Sequence, residues 1–148
     1  MRASSHQVQF QPLAQAVFWI VAAFYAYGAL VHILNIASLT GFAWSEAPHK
    51  WQVLDVVYLV LDVLVVVGLL RGAWIGVAAF FLAALSQIAL YTLFRHWVLN
   101  VPEVFQRSAE DLAYLDGLVV FHVVTCLAMG MAAMVGRQSL TPLHECGH

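Results

Sequence analysis

Residues 51–70 read WQVLDVVYLVLDVLVVVGLL, and this stretch decides the fold. As an α-helix it is long enough to cross the roughly 30 Å hydrocarbon layer of a bilayer, which takes about 20 residues. A lone strand or hairpin would leave backbone groups without hydrogen bonds in lipid. The stretch therefore predicts a transmembrane helix, although it carries two carboxylates, Asp55 and Asp62.

Three further apolar segments have similar length. Together the four segments predict an all-α integral membrane protein, a four-helix transmembrane bundle with antiparallel up-and-down topology in a single domain. The composition agrees, because 63% of the residues are hydrophobic and 9% are charged, against about 25% charged in soluble domains. The predicted limits are about 13–39, 51–70, 73–94 and 114–135, followed by a polar tail, 136–148.

The charge balance bears on partners. A formal net charge of −2 argues against nucleic acid, which a protein binds through basic surfaces that neutralise phosphates. The expected partners are the lipid bilayer and either other membrane protein subunits or further copies of this chain. Four helices with short connections also favour a protein without enzymatic activity of its own.

The connections help to place the helices. Arg71-Gly72 reads as a tight turn, whereas 40–50 and 95–111 are longer. Tryptophan is enriched at membrane interfaces, and four tryptophans fall at segment ends: Trp44, Trp51, Trp74 and Trp97. Lysines and arginines are equal in number on the two predicted sides of the membrane. The longer connections carry more acidic residues, which weakly favours cytoplasmic termini.

Several polar side chains lie inside the predicted spans, where ionisable groups are costly and mark functional sites by default. Counted at 1.5 Å per residue from the segment ends, they lie mainly in the half of the bilayer nearest the longer connections. Within segments their spacing is helical, so they share faces. They predict one ligand pocket, lined by His32, Asn35, Asp55, Tyr58, Asp62, Gln87, Tyr91 and His122.

Four uses of this pocket are consistent with the residues. The polar side chains could simply hydrogen-bond between helices and specify packing. His32 and His122 could be the two axial ligands of a haem b. A transition metal could be held by His32, His122 and either Asp55 or Asp62. A quinone-like or sterol-like molecule could bind, with an aspartate as acid or base and a histidine as its partner.

A separate metal-binding pattern lies at the end of the chain. In the sequence LHECGH, residues 143–148, three metal-ligating side chains alternate with other residues: His144, Cys146 and His148. Such a tail could bind a soft metal, although short polar tails usually have no such role.

A resemblance covers residues 27–85. It rests on the run Gly28-Ala-Leu-Val-His32, on Pro48 before the second segment, and on Val67-Gly68-Leu69-Leu70 followed by a tight turn and a segment rich in small residues. In these features the chain resembles the DoxX-like group of small four-helix bacterial membrane proteins. The resemblance implies a bacterial inner-membrane bundle, sometimes associated with quinone-linked oxidoreductases. No site residue is implied by it.

The sequence therefore predicts an accessory or structural subunit of a larger membrane complex, whose intramembrane pocket binds a quinone-like or lipid-like ligand. The alternative is a haem b or metal-binding membrane redox protein or enzyme that uses His32 and His122 with Asp55 or Asp62.

Overall fold

The computed structural model describes residues 12–138, and all regular structure in this range is helical. Two single-turn 3-10 helices, Trp44–Glu46 and Glu103–Phe105, lie in the two longer connections. The polar tail beyond Gln138, with the predicted metal ligands His144, Cys146 and His148, lies outside the described residues. The α-helices are α1 (Pro12–Ile36), α2 (His49–Leu70), α3 (Trp74–Thr92), α4 (Arg95–Leu99) and α5 (Ala109–Gln138).

Four of these helices, α1, α2, α3 and α5, are long and apolar enough to cross a membrane. Each packs against two others, since contacts join α1 to α2, α2 to α3, α3 to α5 and α5 to α1. The prediction of an all-helical protein with four membrane-spanning helices agrees with this arrangement. The outward faces carry exposed apolar side chains, such as Ile20, Val60, Leu82 and Val120, which suits contact with lipid chains.

Several helix limits differ by a few residues from those expected from hydropathy, and two of the differences have a clear local cause. The first helix ends at Ile36 rather than near 39, because Ser38 adopts a left-handed backbone conformation with φ of 60°. The last helix begins at Ala109 rather than near 114. Ser108 caps it: the Asp111 N–H donates to Ser108 Oγ and the Ser108 N–H to Asp111 Oδ2, each at 3.1 Å. This is a reciprocal capping box, which satisfies backbone donors at a helix start.

The pairing of α2 with α3 depends on two glycines. A Cβ atom added at Gly68 would lie 2.3 Å from the Cα atom of Gly76, and one added at Gly76 would lie 2.4 Å from the carbonyl carbon of Gly68. Any larger residue at either position would force the backbones apart. The helices thus meet backbone to backbone beside the turn, as small residues allow in membrane helices.

The bundle interior has an apolar half and a polar half. The apolar half is filled by side chains from all four long helices, including Phe18, Val65, Phe80 and Met129, which are almost fully buried. The polar half lies toward the longer connections, where α1 ends and α2 begins. Close packing in the first half fixes the helices around the space in the second.

The longer connections cover the polar end of the bundle. Trp51 Nε1 donates to the Val98 carbonyl at 3.0 Å, and Lys50 Nζ donates to the carbonyls of Trp97 and Asn100. These bonds attach α4 to the start of α2. An ion pair between Arg95 and Asp116 is formed between α4 and α5.

Candidate intramembrane binding site

A cavity of about 310 Å³ lies in the polar half of the bundle. The structure brings to its wall all eight side chains singled out from the sequence. The most buried are Asp62 and His122, each 2% exposed, followed by Tyr58 at 4% and Asp55 at 8%. The eight are His32, Asn35, Asp55, Tyr58, Asp62, Gln87, Tyr91 and His122.

Asp55 accepts three hydrogen bonds. His32 Nδ1 donates to its Oδ1 at 2.8 Å, and Asn35 Nδ2 donates to the same oxygen at 3.0 Å. Trp44 Nε1 donates to Oδ2 at 3.2 Å. These three donors come from α1 and from the connection after it. Asp55 therefore joins the start of α2 to the end of α1.

His32 lies between two carboxylates. Its Nδ1 donates to Asp55, because a carboxylate oxygen can only accept. Its Nε2 faces Oδ2 of Asp62 at 3.9 Å, beyond hydrogen-bond distance. The ring also stacks on that of Tyr58, with centroids 6.1 Å apart.

Asp62 reaches this position because Gly28 has no side chain. A Cβ atom at Gly28 would lie 2.6 Å from Oδ2 of Asp62. The space beside Gly28, one turn before His32, is therefore taken by the carboxyl group. Among the described residues no donor forms a hydrogen bond with Asp62, so its oxygens remain available to a ligand.

His122 approaches the cavity from α5. Its Nδ1 donates to the Leu118 carbonyl at 2.6 Å, which leaves Nε2 as an acceptor on the neutral ring. No other described residue forms a hydrogen bond with this ring. The ring edge packs against Tyr25, with centroids 6.2 Å apart.

A side-chain hydrogen bond joins Tyr58 of α2 to Ser86 of α3 beside the cavity. Tyr58 Oη donates to Ser86 Oγ at 2.9 Å, and Ser86 donates in turn to the Ala83 carbonyl. Gln87 and Tyr91 line the cavity without a hydrogen bond to any other side chain in the described part of the chain. Their polar groups are free to meet a ligand.

Sequence reasoning missed Tyr25. This residue is 2% exposed, lines the cavity, and has a hydroxyl that is buried without a hydrogen-bond partner among the described residues. A signal was present, because Tyr25, Gly28 and His32 are spaced i, i+3, i+7 and so lie on one face of α1.

The mouth of the cavity was also missed. Arg107 stacks over the ring of Trp51, with its guanidinium carbon 4.5 Å from the centroid, and both residues line the cavity together with Phe42 and Tyr114. Trp51 and Trp44 were interpreted only as interfacial aromatics. The contacts of both depend on how the connections fold, and no local spacing encodes that.

The predicted haem and metal sites gain no support from the geometry. Haem iron on His32 would have to bind Nε2, which faces Asp62. Within the described residues no three His, Cys, Asp or Glu side chains are grouped so that they could hold a metal ion. The proposed metal set of His32, Asp55 and His122 therefore stays a prediction.

No protein-family model, curated protein or solved structure matches the chain. What the site can do follows from its own residues. It offers buried acceptors at Asp62 and His122, a donor at Tyr25, apolar and aromatic walls, and two charged residues of opposite sign, Arg107 and Asp111. Such a mixture suits a molecule with a polar head and an apolar body.

Proposed function

We propose that this small membrane protein binds a quinone-like or lipid-like amphipathic molecule in the intramembrane cavity. The observation that carries the proposal is that polar side chains from four apolar helices line a single cavity of about 310 Å³. Burying polar groups without partners is costly, and several of these groups have no partner in the described residues. A ligand head group would provide one.

Packing alone accounts for only part of the site. The bonds of Asp55 and of Tyr58 fasten helices to one another, as interhelical hydrogen bonds do in membranes. Asp62, Tyr25 and His122 Nε2 form no interhelical hydrogen bond within the described residues, although all three side chains are almost fully buried. Their arrangement around a cavity therefore favours ligand binding over a purely structural role.

We propose further that the protein acts as an accessory subunit of a larger membrane complex, or as a homo-oligomer. Support comes from the short helical connections and from the resemblance of residues 27–85 to DoxX-like proteins, which also favours the bacterial inner membrane. In this proposal the helices cross the bilayer in antiparallel up-and-down order, with both termini cytoplasmic.

The experiment that tests ligand binding is purification from native membranes followed by solvent extraction and mass spectrometry of the extract. The proposal predicts one class of amphipathic molecule enriched over bulk membrane lipid. Asp62→Leu should lower that enrichment, because it removes both carboxyl oxygens from the cavity.

Val60→Leu is the matched control, since Val60 is on the same helix but lies on its exposed face. It should retain the ligand. An extract from the native protein with the composition of bulk lipid, or equal enrichment in Asp62→Leu and Val60→Leu, would contradict the proposal. The same purification reports partner subunits present in fixed stoichiometry.

A further inference from the structure

The inner wall of the cavity holds three buried polar groups with complementary hydrogen-bonding roles: the Asp62 carboxyl, the Tyr25 hydroxyl and His122 Nε2. All three side chains are 2% exposed and line the cavity. The Tyr25 ring packs edge-on against the His122 ring, and Asp62 Oδ2 packs against Gly28, which lies one turn from Tyr25 on the same face of α1. They thus form one polar cluster.

The role of His122 in this cluster is set by its own helix. The Leu118 carbonyl can only accept, so Nδ1 must carry the proton. A second proton on Nε2 would create a buried imidazolium, and no carboxylate in the described residues forms an ion pair with this ring. A buried unpaired charge is strongly disfavoured, so Nε2 presents a lone pair.

Asp62 adds a second acceptor. Oδ2 packs against Gly28 and faces His32 Nε2, and a carboxyl group keeps acceptor capacity in either protonation state. Tyr25 contributes a hydroxyl that can donate. The three groups of the inner wall therefore offer acceptors at Asp62 and His122 Nε2 and a Tyr25 hydroxyl that needs an acceptor.

From this arrangement we infer that the cavity selects ligands whose head group carries a hydroxyl, as in a phenol or a quinol, over ligands whose head carries only carbonyl or ether oxygens. A hydroxyl donates to Asp62 or His122 Nε2 and accepts from Tyr25 at once. A carbonyl accepts from Tyr25 but leaves the two acceptors unmatched. The inference rests on the proposed function and narrows its ligand class.

The aromatic surroundings favour a ring as the bearer of that hydroxyl. Phe24 stacks on Phe121 with centroids 3.7 Å apart, and Tyr58 stacks on His32. Phe24, Tyr58 and His32 line the cavity. Flat aromatic walls bind flat rings well through offset and edge contacts.

The test compares probes that differ only in the hydroxyl. Para-dodecylphenol and its methyl ether are titrated against the full chain in lipid nanodiscs, followed by intrinsic tryptophan fluorescence and confirmed by competition. A second pair, decylbenzoquinol and decylbenzoquinone, is titrated without oxygen. We expect the hydroxyl-bearing member of each pair to bind about tenfold more tightly, the factor typical of leaving one buried partner unmatched.

Equal affinity within both pairs would overturn the inference and leave the proposed function standing. Binding of neither member of either pair would overturn both the inference and the proposed function.

Variants of the inner wall provide a second test. His122→Phe and Tyr25→Phe should reduce the preference for phenol over ether, whereas Val60→Leu should keep it. A preference unchanged in both cavity variants would overturn the assignment of the inner wall as the selecting surface.

Discussion

The Nδ1–H of His32 donates to Oδ1 of Asp55 across 2.8 Å and so links α1 to α2 at the wall of the cavity. Asn35 and Trp44 bind the same carboxylate. One acidic side chain thus fixes a histidine ring and the connection that follows α1. The ring then directs its other nitrogen toward Asp62.

Asp55→Asn is expected to destabilise the protein. The amide keeps one acceptor oxygen but loses the charge that strengthens three hydrogen bonds, and its NH₂ group meets a donor. Hydrogen bonds to charged groups contribute about 1.5–3 kcal/mol each, so we expect a loss of roughly 2–4 kcal/mol. Thermal unfolding in detergent, followed by tryptophan fluorescence, measures it.

Glu46→Gln provides the matched control, because Glu46 is an exposed carboxylate in the connection between α1 and α2. Its melting temperature should stay near that of the unmodified protein. Equal melting temperatures for Asp55→Asn and the unmodified protein would show that these bonds contribute little.

Gly28→Ala is expected to displace the Asp62 carboxyl group, since the new methyl group would lie 2.6 Å from Oδ2. The variant should lose stability and bind ligand more weakly. Residues in direct contact show coupled effects in a double-mutant cycle, typically 0.5–3 kcal/mol. Adding Asp62→Ala should therefore relieve the stability loss caused by Gly28→Ala.

Gly117→Ala serves as its control, because a Cβ atom at Gly117 meets nothing within 4 Å. That change should be neutral or slightly stabilising, as alanine is the better helix former. Strictly additive effects of the changes at 28 and 62 would refute the contact.

Gly68→Ala and Gly76→Ala are each expected to separate α2 from α3. Backbone atoms cannot yield as a flexible side chain can, and overpacking a close contact costs typically 1–3 kcal/mol or more. We expect lower melting temperatures and lower yields of folded protein in both. Gly130→Ala is the control, because a Cβ atom at Gly130 on α5 meets nothing within 4 Å, and it should fold normally. If Gly68→Ala and Gly76→Ala fold as well as this control, the backbone contact between α2 and α3 is ruled out.

The proposed orientation predicts which connection faces the outside of the cell. After replacement of Cys126 and Cys146 by alanine, single cysteines are introduced at Ser45 and at Arg71, both exposed. With both termini cytoplasmic, a membrane-impermeant maleimide should label the cysteine at 45 and not that at 71 in spheroplasts. The reverse pattern would invert the orientation.

Much of the architecture is visible in the sequence. Four long apolar runs are sufficient to predict four helices, because the bilayer imposes both length and helical structure. The helical spacing of Asp55, Tyr58 and Asp62 also indicates which face of α2 turns inward. The start of α5 was placed too late, although Ser108 and Asp111 have the three-residue spacing of a capping box.

The sequence does not reveal which of the cavity side chains contact each other. That His32 bonds to Asp55 rather than Asp62 depends on how far α2 slides along α1, and a shift of about two turns would exchange the two carboxylates. The contact between Gly28 and Asp62 depends on the same register. Tyr25 was overlooked because a tyrosine in an apolar helix resembles ordinary packing until its hydroxyl proves to be without a partner.

The most direct test of ligand binding in the cavity is photo-crosslinking with an alkylphenol that carries a diazirine beside the ring, followed by peptide mass spectrometry. We predict labels concentrated on 24–32 of α1 and 118–122 of α5, and removed by excess para-dodecylphenol. Labels spread over lipid-facing residues such as Leu82 and Leu127, and insensitive to that competitor, would contradict the account.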